Sequence, residues 1–235
     1  MDNKDLRERF TQLTTAHLAD GCIRAQVPVR CAPADLKAVV ATSRVAGRVL
    51  PARHVGSVDV FLEALGGALP GDVLVIDNDG RRDEACVGDL IALEAKAAGL
   101  EGIVIWGLHR DSAEVRSIGL PIFSLGATPA GPERLDDRPS EVLASASVGD
   151  WTVGACDLVF GDEDGVLFIP AAEAPGVLAM ADTIRETERA QADQIRTGLS
   201  LRSQVEFATY LQRRKDTPSL TFRDHLRAVR AAIEE

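Results

Sequence analysis

The sequence of 235 residues lacks most of the signatures that identify common enzymes. It has four cysteines and no CxxC pair, which disfavours a zinc knuckle or a disulfide scaffold. Its four histidines do not have the HExxH spacing or another short ligand spacing, so a metal site built from histidines is not expected. GxSxG, GxGxxG and P-loop signatures are also missing, which removes the usual support for hydrolase, dinucleotide and ATP chemistry.

The charge and hydropathy of the chain exclude further classes. Hydrophobic residues make up 46% of the chain and charged residues 26%, with a formal net charge of -10, so a globular protein is expected and disorder is not. An acidic chain is a poor ligand for nucleic acid. No apolar run approaches the ~20 residues that span a bilayer, and we expect neither a signal peptide, a transit peptide nor a membrane contact. The scattered cysteines favour buried free thiols in a cytoplasmic protein.

Hydrophobic periodicity predicts three regions. Residues 1–19 form an amphipathic N-terminal helix that ends near Asp20-Gly21. Residues 20–170 alternate short β-branched runs with helical stretches, which predicts an α/β domain with a partly parallel sheet and a late hairpin over 157–170. Residues 171–235 are predicted to be helical, with a stripe from Val177 to Ile195, and to lie at a subunit interface.

One segment combines residues that are suited to chemistry. Gly88 and Asp89 lie where a loop enters a helix, whose free N–H groups and positive dipole end suit a carboxylate ligand. The helix leads into a buried strand that delivers Arg110 and Asp111 at its C-terminal end, where ligands of α/β sheets collect. Arginine suits a keto acid oxygen, and aspartate suits Mg²⁺ or Mn²⁺. Alternatively, Arg110 and Asp111 are a helix cap and a surface ion pair, and spacing alone favours that interpretation.

A family resemblance changes this weighting. An Asp, twenty residues, Arg-Asp and a nearby acidic residue form a signature that is met here by Asp89, Arg110, Asp111 and Glu114. The segment resembles the RraA-like family, which includes metal-dependent class II aldolases acting on 4-hydroxy-4-methyl-2-oxoglutarate and related acids. Further blocks that look like those of the family, in its order, are 70–77, 119–123 and 161–166.

The resemblance implies a fold and an assembly. It implies the swivelling-domain α/β fold of the RraA-like family, with mixed sheets and flanking helices, here with the N-terminal helix and the C-terminal helical extension added. It also implies homotrimers or homohexamers whose active sites lie at subunit interfaces.

The resemblance also implies residue roles. Asp111 would contact a divalent ion, Mg²⁺ or Mn²⁺, directly, and Asp89 would bind the same ion through water. Arg110 and the backbone N–H groups near Leu90 and Ile91 would hold the pyruvyl end of a 2-keto acid.

A glutamate from the C-terminal helix of a neighbouring subunit would complete the site, also through water. Glu186 and Glu188 both match this role. Glu186 is placed first because Glu188 lies on the apolar stripe with Ile184 and is expected to be buried at a helix contact.

The sequence departs from the family pattern in two places, the first of them beside the proposed site. Trp106 and His109 are bulky additions before Arg110. His109 is a candidate acid/base or substrate contact, and the alternative is a structural imidazole that bonds to backbone. Trp106 is expected to be a core or interface residue. The second departure, at 154–157, replaces the usual Pro-Gly-Asp and is expected to affect a turn.

The resulting prediction is a metal-dependent lyase that cleaves or decarboxylates a 2-keto acid through a pyruvate enolate. The substrate would be an acid like 4-hydroxy-4-methyl-2-oxoglutarate, or oxaloacetate. Two alternatives remain open: a non-catalytic regulator that binds a ribonuclease, as in the family's name-giving branch, and a different metal-dependent reaction at the same site. The Asp89, Arg110 and Asp111 set favours the enzyme.

Overall fold

The computed structural model describes residues 2–229, and within them helices and strands alternate as an α/β protein should. The helices are α1 (Asn3–Phe10), α2 (Thr15–Arg24), α3 (Asp59–Gly66), α4 (Asp89–Ala97), α5 (Ser112–Ile118), α6 (Ala174–Arg196), α7 (Leu201–Gln204), α8 (Phe207–Asp216) and α9 (Phe222–Val229). The strands are β1 (Arg30–Cys31), β2 (Lys37–Ala38), β3 (Val45–Arg53), β4 (Val73–Asp77), β5 (Ala85–Val87), β6 (Gly102–Trp106), β7 (Leu108–His109), β8 (Ile122–Ser124), β9 (Ser145–Val148), β10 (Trp151–Gly154), β11 (Asp157–Gly161) and β12 (Val166–Pro170).

The main sheet has a parallel centre and antiparallel edges. Its strand order is β1-β12-β11-β3-β4-β6-β8-β2, and the pairs β3–β4, β4–β6 and β6–β8 are parallel. The remaining pairs in this sheet are antiparallel, including the late hairpin β11–β12 that the sequence predicts. Two small sheets, β9–β10 and β5–β7, lie outside it.

The central strands are buried on both faces. Along β4, Leu74 and Ile76 pack in a cluster with α3 and α4, whereas Val73 and Val75 pack in a second cluster with the β9–β10 hairpin. This alternation follows from the two-residue period of a strand, and it explains why β4 is a continuous apolar run. A third cluster packs α1, α2 and α6 against β11 and β12.

The N-terminal region differs from the sequence prediction. The single helix expected over 1–19 is two helices, because Thr14 caps α2: its hydroxyl accepts from the His17 N–H, and the His17 ring accepts from the Thr14 N–H. The predicted end near Asp20-Gly21 is also wrong, since α2 continues to Arg24. A Cβ at Gly21 would lie 2.8 Å from the Val177 carbonyl oxygen, so this glycine allows α2 and α6 to approach closely.

The C-terminal region is helical as predicted, although the apolar stripe is only partly buried. Val177 and Ile184 are in the core, but Ile195 is 46% exposed. α6 ends at Arg196, and Gly198 follows two residues later with φ +99°. Glycine is favoured just after the C-terminus of a helix because it adopts a positive φ without strain. Residues 230–235 of the predicted region lie outside the described residues, and the division into three regions stays a prediction. None of the described helices combines the length and apolar character that crossing a bilayer needs.

A buried carboxylate links α1 to the start of the sheet. The Asp72 side chain, fully shielded from solvent, accepts from Arg48 Nη2 at 2.6 Å, from the Leu69 N–H at 2.9 Å and from Asn3 Nδ2 at 3.0 Å. Burial by itself would raise the pKa of Asp72, but hydrogen bonds from Arg48, Leu69 and Asn3 outweigh it, so the pKa is lowered. The charged carboxylate therefore stabilises the fold.

We predict that Asp72→Ala lowers the free energy of unfolding by about 3 kcal/mol, because it leaves the partners of a buried carboxylate unsatisfied. Because its folded pKa lies below the unfolded value, the Asp72 contribution is complete above pH ~4 and is lost as the pH falls through the folded pKa. Urea unfolding at pH 7 and at acidic pH measures both effects. In the control Asp35→Ala, which removes an exposed pair with Arg82, the loss should stay below about 1 kcal/mol.

Candidate active site

The parallel pairing of β5 with β7 brings two distant segments together. Val87 is in register with His109, and the Arg110 N–H donates to the Val87 carbonyl oxygen at 2.9 Å. Two parallel strands end on the same side of their sheet. Gly88 and Asp89, which follow β5, therefore lie next to Arg110 and Asp111, which follow β7. The intervening α4 and β6 are the connection that makes this pairing possible.

This placement corrects one detail of the sequence prediction. The buried strand β6 ends at Trp106 and does not itself carry Arg110 and Asp111. The chain turns at Gly107, where a Cβ would lie 2.8 Å from the Asn78 Cβ, and forms the separate strand β7. The site therefore lies beside the main sheet on a small two-stranded sheet.

A pocket of about 260 Å³ opens where the two segments meet. Its lining comes from the loop before α3, from β5, from the start of α4, from the end of β7 and from the segment before residue 133. The lining residues are Val58, Ala85, Cys86, Gly88, Asp89, Leu90, Ile91, Arg110, Asp111 and Pro132. Five predicted site residues, Asp89, Leu90, Ile91, Arg110 and Asp111, are thus brought together in one pocket.

The Asp111 carboxylate faces the start of α4. Its Oδ2 accepts from the Asp89 N–H at 3.4 Å and lies 3.5 Å from Arg110 Nε. Asp111 precedes α5 in the left-handed conformation, with φ 56°, and its side chain makes no cap hydrogen bond to that helix. The surface ion pair between Arg110 and Asp111, which the alternative interpretation of these residues predicts, is therefore present. The helix-cap hydrogen bond that the same interpretation predicts is not. Because 49% of the Arg110 side chain and 38% of the Asp111 side chain are exposed, both can contact a ligand.

Two glycines allow the backbone to lie against these charged groups. A Cβ at Gly88 would overlap Asp111 Oδ2, and a Cβ at Gly131 would lie 2.9 Å from Arg110 Nη1. Gly88 also precedes α4 and has no side chain to cap it; instead, the Asp89 N–H donates to Asp111 Oδ2, and the Leu90 N–H donates to Asp89 Oδ1 at 2.8 Å. These carboxylates lie at the positive end of the helix dipole, which adjoins the pocket. The site therefore combines a helix N-terminus with one guanidinium and two carboxylates.

His109 and Trp106 lie outside the pocket lining. His109 is buried, with Nδ1 2.8 Å from Ser124 Oγ and Nε2 3.0 Å from Ser112 Oγ, so hydroxyl groups engage both ring nitrogens. Burial lowers its pKa, which favours the neutral imidazole. A backbone hydrogen bond with Gly126 acts on this pKa as well, in the opposite direction, so the ring has the backbone contact of the structural alternative besides the two serine hydroxyls. Trp106 packs beside the second core cluster and against Gly80.

The structure does not bring the two candidate glutamates to this pocket within one chain. Glu186 on α6 is exposed, and its Oε1 lies 3.7 Å from Arg185 Nη2. Glu188 is exposed as well, so the prediction that it is buried is wrong; its Oε2 lies 3.1 Å from Nε2 of His17 on α2.

The four cysteines were all expected to be buried free thiols. Cys22 and Cys86 are buried, whereas Cys31 and Cys156 are exposed, and all four are free.

Sequence reasoning missed the remaining wall of the pocket. Val58 precedes α3, and Pro132 belongs to an irregular segment with no hydrophobic period that could have placed it. The Ala85 N–H donates to the Ala130 carbonyl oxygen at 2.8 Å, and this bond holds the irregular segment next to β5. That contact is long-range, so no local pattern reveals it.

A family model described as "RraA-like: Aldolase/RraA" matches residues 15–168. The chain belongs to the RraA-like family. A curated member from Halalkalibacterium halodurans, named putative 4-hydroxy-4-methyl-2-oxoglutarate aldolase, is 35% identical over 135 residues, or 56% of this chain and 63% of the relative. The matched region thus spans less than two thirds of that relative's length.

Solved structures with the same fold agree with this membership. An uncharacterized protein from Pseudomonas syringae pv. tomato superposes with a TM-score of 0.71 at 26% identity, covering 83% of this chain and 93% of that one. Streptomyces coelicolor RraAS2, described as an unusual member of the RNase ES inhibitor RraA family, gives 0.70 at 23% identity, covering 83% and 100%. The predicted RraA-like α/β fold is thereby confirmed.

We predict that Gly88→Ala displaces the Asp111 carboxylate by about 1 Å or more, because non-bonded atoms settle near ~3.5 Å apart. Crystal structures of the variant and the wild-type protein would measure this shift, and melting temperatures would show whether the fold persists. Gly176→Ala on α6 is the control, since a Cβ there meets no atom within 4 Å. An unmoved carboxylate in Gly88→Ala would contradict the steric argument.

Proposed function

We propose that this RraA-like protein is a metal-dependent lyase that cleaves or decarboxylates a 2-keto acid through a pyruvate enolate. The carrying observation is that Arg110, Asp111 and Asp89 meet at the start of α4 in one pocket. A cation, two carboxylates and a helix N-terminus are the groups that such a reaction needs. The aldolase name of a relative at 35% identity supports the same reaction class.

The residues present fit a divalent ion. Asp111 and Asp89 offer hard oxygen ligands, and Mg²⁺ is usually held by one or two carboxylates together with several waters. Among residues 2–229, no group of three His, Cys, Asp or Glu side chains is gathered for a metal, so a third carboxylate ligand would come from another chain. When bound, Mg²⁺ or Mn²⁺ would supply a Lewis acid for the keto oxygen.

The protein's own groups account for binding and charge stabilisation. The N–H groups near Leu90 and Ile91, at the positive end of α4, would donate to the carboxylate of the pyruvyl moiety, which would replace Asp89 Oδ1 on the Leu90 N–H. Arg110 would donate to the keto oxygen, where negative charge grows as the enolate forms.

Cleavage of a 4-hydroxy-2-keto acid then needs no covalent intermediate with the enzyme. The hydroxyl proton at C4 leaves to a water that Asp89 orients, and the O–H electron pair forms the new carbonyl. The C3–C4 bond breaks, and its electrons enter the pyruvate enolate, which takes a proton at C3 to give pyruvate. In oxaloacetate the bond to the leaving carboxylate breaks instead and releases CO₂.

A regulatory role is the second candidate, because Streptomyces coelicolor RraAS2 shares the fold and is described within an RNase ES inhibitor family. Under that role the Arg110–Asp111 pocket would have no catalytic use. A pyruvate-release assay over 4-hydroxy-2-keto acids and oxaloacetate, with Mg²⁺ and with excess EDTA, distinguishes the two. Metal-dependent release supports the lyase, and no release from any acid contradicts it.

We also propose that the site is shared between subunits of a trimer or hexamer. The acidic residue that the pocket does not gather within one chain would come from α6 of a neighbour, with Glu186 first. Its exposure on α6 supports that choice, and within residues 2–229 its one ion-pair contact is Arg185 Nη2, at 3.7 Å. Glu188 is the alternative, already engaged by His17.

We predict that Asp111→Ala abolishes metal-dependent pyruvate release while the fold remains intact, because the variant loses a carboxylate ligand. Circular dichroism checks the fold, and titration with Mg²⁺ or Mn²⁺ checks the affinity. The matched control is Asp193→Ala, on the exposed face of α6, where the carboxylate pairs only with Arg196 among the contacts described. Turnover by Asp111→Ala equal to wild type would refute the metal role.

We predict that Arg110→Lys lowers kcat/KM by roughly 30- to 1,000-fold, because an ammonium cannot reproduce the forked geometry of a guanidinium. This corresponds to about 2 to 4 kcal/mol of transition-state stabilisation. Arg138→Lys is the control, because its guanidinium pairs with Asp59 at 2.6 Å and does not line the pocket. Kinetics of Arg110→Lys within threefold of wild type would place Arg110 outside the site.

We predict that mixing inactive Asp111→Ala with inactive Glu186→Ala restores activity after subunit exchange. Mixed oligomers contain interfaces where both residues are native, about a quarter of all sites after random exchange. The same mixture made with Glu188→Ala decides which glutamate contributes. Mass spectrometry must show mixed oligomers; if these form and no activity returns, Glu186 is not the shared residue. A monomer by light scattering would end the shared-site proposal.

A further inference from the structure

Asp111 has an unusual backbone conformation for the residue before a helix. Such a residue commonly has an extended backbone and caps the helix with its side chain. Asp111 instead has φ 56° and ψ 42° and makes no cap hydrogen bond to α5. The left-handed region is unfavourable for residues other than glycine, although aspartate tolerates it better than most. A conformation of this kind persists only where the surrounding structure determines it, so contacts around the turn are needed to maintain it.

The left-handed conformation accompanies a carboxylate that faces α4 and not α5. Asp111 Oδ2 accepts from the Asp89 N–H at 3.4 Å and lies 2.3 Å from where a Cβ at Gly88 would be. With an extended backbone, the side chain of Asp111 would instead be placed to accept from the first N–H groups of its own helix. The position of the proposed metal ligand in the pocket therefore depends on this turn.

A hydrogen bond between His109 and Ser112 joins the two ends of the turn. His109 Nε2 lies 3.0 Å from Ser112 Oγ, and the bond closes the segment 109–112, whose inner residues are Arg110 and Asp111. Ser112 is the first residue of α5, so its position fixes the peptide that follows Asp111. The bond thus restrains the ψ angle of Asp111 together with the start of the helix.

His109 is itself anchored to the main sheet. Its Nδ1 lies 2.8 Å from the hydroxyl of Ser124, the last residue of β8. Its backbone N–H donates to the Gly126 carbonyl oxygen, and its carbonyl oxygen accepts from the Thr128 N–H, both at 3.0 Å. His109 is buried, and all of these bonds lie within one chain. The imidazole therefore connects the sheet to the turn independently of any subunit that covers the pocket.

We propose that His109 is a positioning residue for Asp111: its bond to Ser112 keeps Asp111 in the left-handed conformation that presents the carboxylate to the pocket. His109 does not line the pocket, so it acts through its neighbours and not by contact with the substrate. Because Asp111 is the metal ligand of the proposed function, this role rests on that function. Groups that orient a metal ligand from behind commonly change metal affinity by about 10- to 100-fold when they are replaced, and we expect an effect of that size.

Ser112→Ala removes the bond with little change elsewhere, because Ser112 is partly exposed and alanine is favoured in helices. Titration with Mn²⁺ should give a dissociation constant about 10- to 100-fold higher than that of the wild-type protein. A crystal structure of the variant should show the Asp111 carboxylate displaced by more than about 0.5 Å. Ser117→Ala is the matched control, since Ser117 is exposed on the same helix, and it should change neither quantity.

Two amide variants separate the bond to Ser112 from the bulk of the ring. The amide of glutamine reaches as far along the side chain as Nε2, whereas the amide of asparagine reaches only as far as Nδ1. His109→Gln should therefore keep the bond and a Mn²⁺ affinity within about threefold of wild type, and His109→Asn should lose affinity as Ser112→Ala does. Adding Ser112→Ala to His109→Asn should cause no further loss, because both changes remove the same contact.

The position of the Asp111 carboxylate decides the proposal. If it stays in place in Ser112→Ala, the proposal is overturned, even where the melting temperature falls, because His109 then contributes to stability alone. An equal loss of Mn²⁺ affinity in His109→Gln and His109→Asn also overturns it. If the wild-type protein binds no Mn²⁺, the metal role of Asp111 in the proposed function fails, and the crystal structures still decide whether His109 holds the conformation of Asp111.

Discussion

The pairing of β5 with β7 is the constraint on which the site depends. Each strand is only two or three residues long, yet the parallel register places Gly88 beside Arg110. A sheet of two such short strands is not stable by itself in water. It is stabilised here because its residues are buried and because the Ala85 N–H of β5 donates to the Ala130 carbonyl oxygen of the irregular segment. The core clusters of the α/β fold thus hold the charged groups of the pocket in place.

Close backbone approach is the second requirement. Gly88 and Gly131 leave the Asp111 carboxylate and the Arg110 guanidinium directly against main chain, where the dipole of α4 adds to the positive potential. The lining of the pocket combines one guanidinium and two carboxylates with apolar side chains. Such an arrangement suits a small acid whose reacting end is anionic.

Local patterns predicted several elements well for identifiable reasons. β4 is a continuous apolar run between turns at 70–72 and 78–80, and the β11–β12 hairpin has an Asp-Gly turn, so both follow from short-range chemistry. The N-terminal helix failed because hydrophobic spacing continues across the break that the Thr14 cap creates. The burial expected for Glu188 failed because its side chain lies at the edge of the contact between α2 and α6, where it is half exposed and pairs with His17, and periodicity alone does not show this.

The sequence by itself determined which residues are candidates for the site. Asp89, Arg110 and Asp111 stand at positions that match a family signature of fixed spacing, and helix and strand patterns place them at element ends. The tertiary structure alone decided the shape and polarity of the pocket around them. Val58 and Pro132 both line the pocket although each is more than 30 residues away from Asp89 in the sequence, and Pro132 lies in an irregular segment. His109 does not line the pocket, and its ring contacts two serine hydroxyls instead. The physical reason is that residue type and spacing encode local conformation and chemistry, whereas long-range packing determines which surfaces meet.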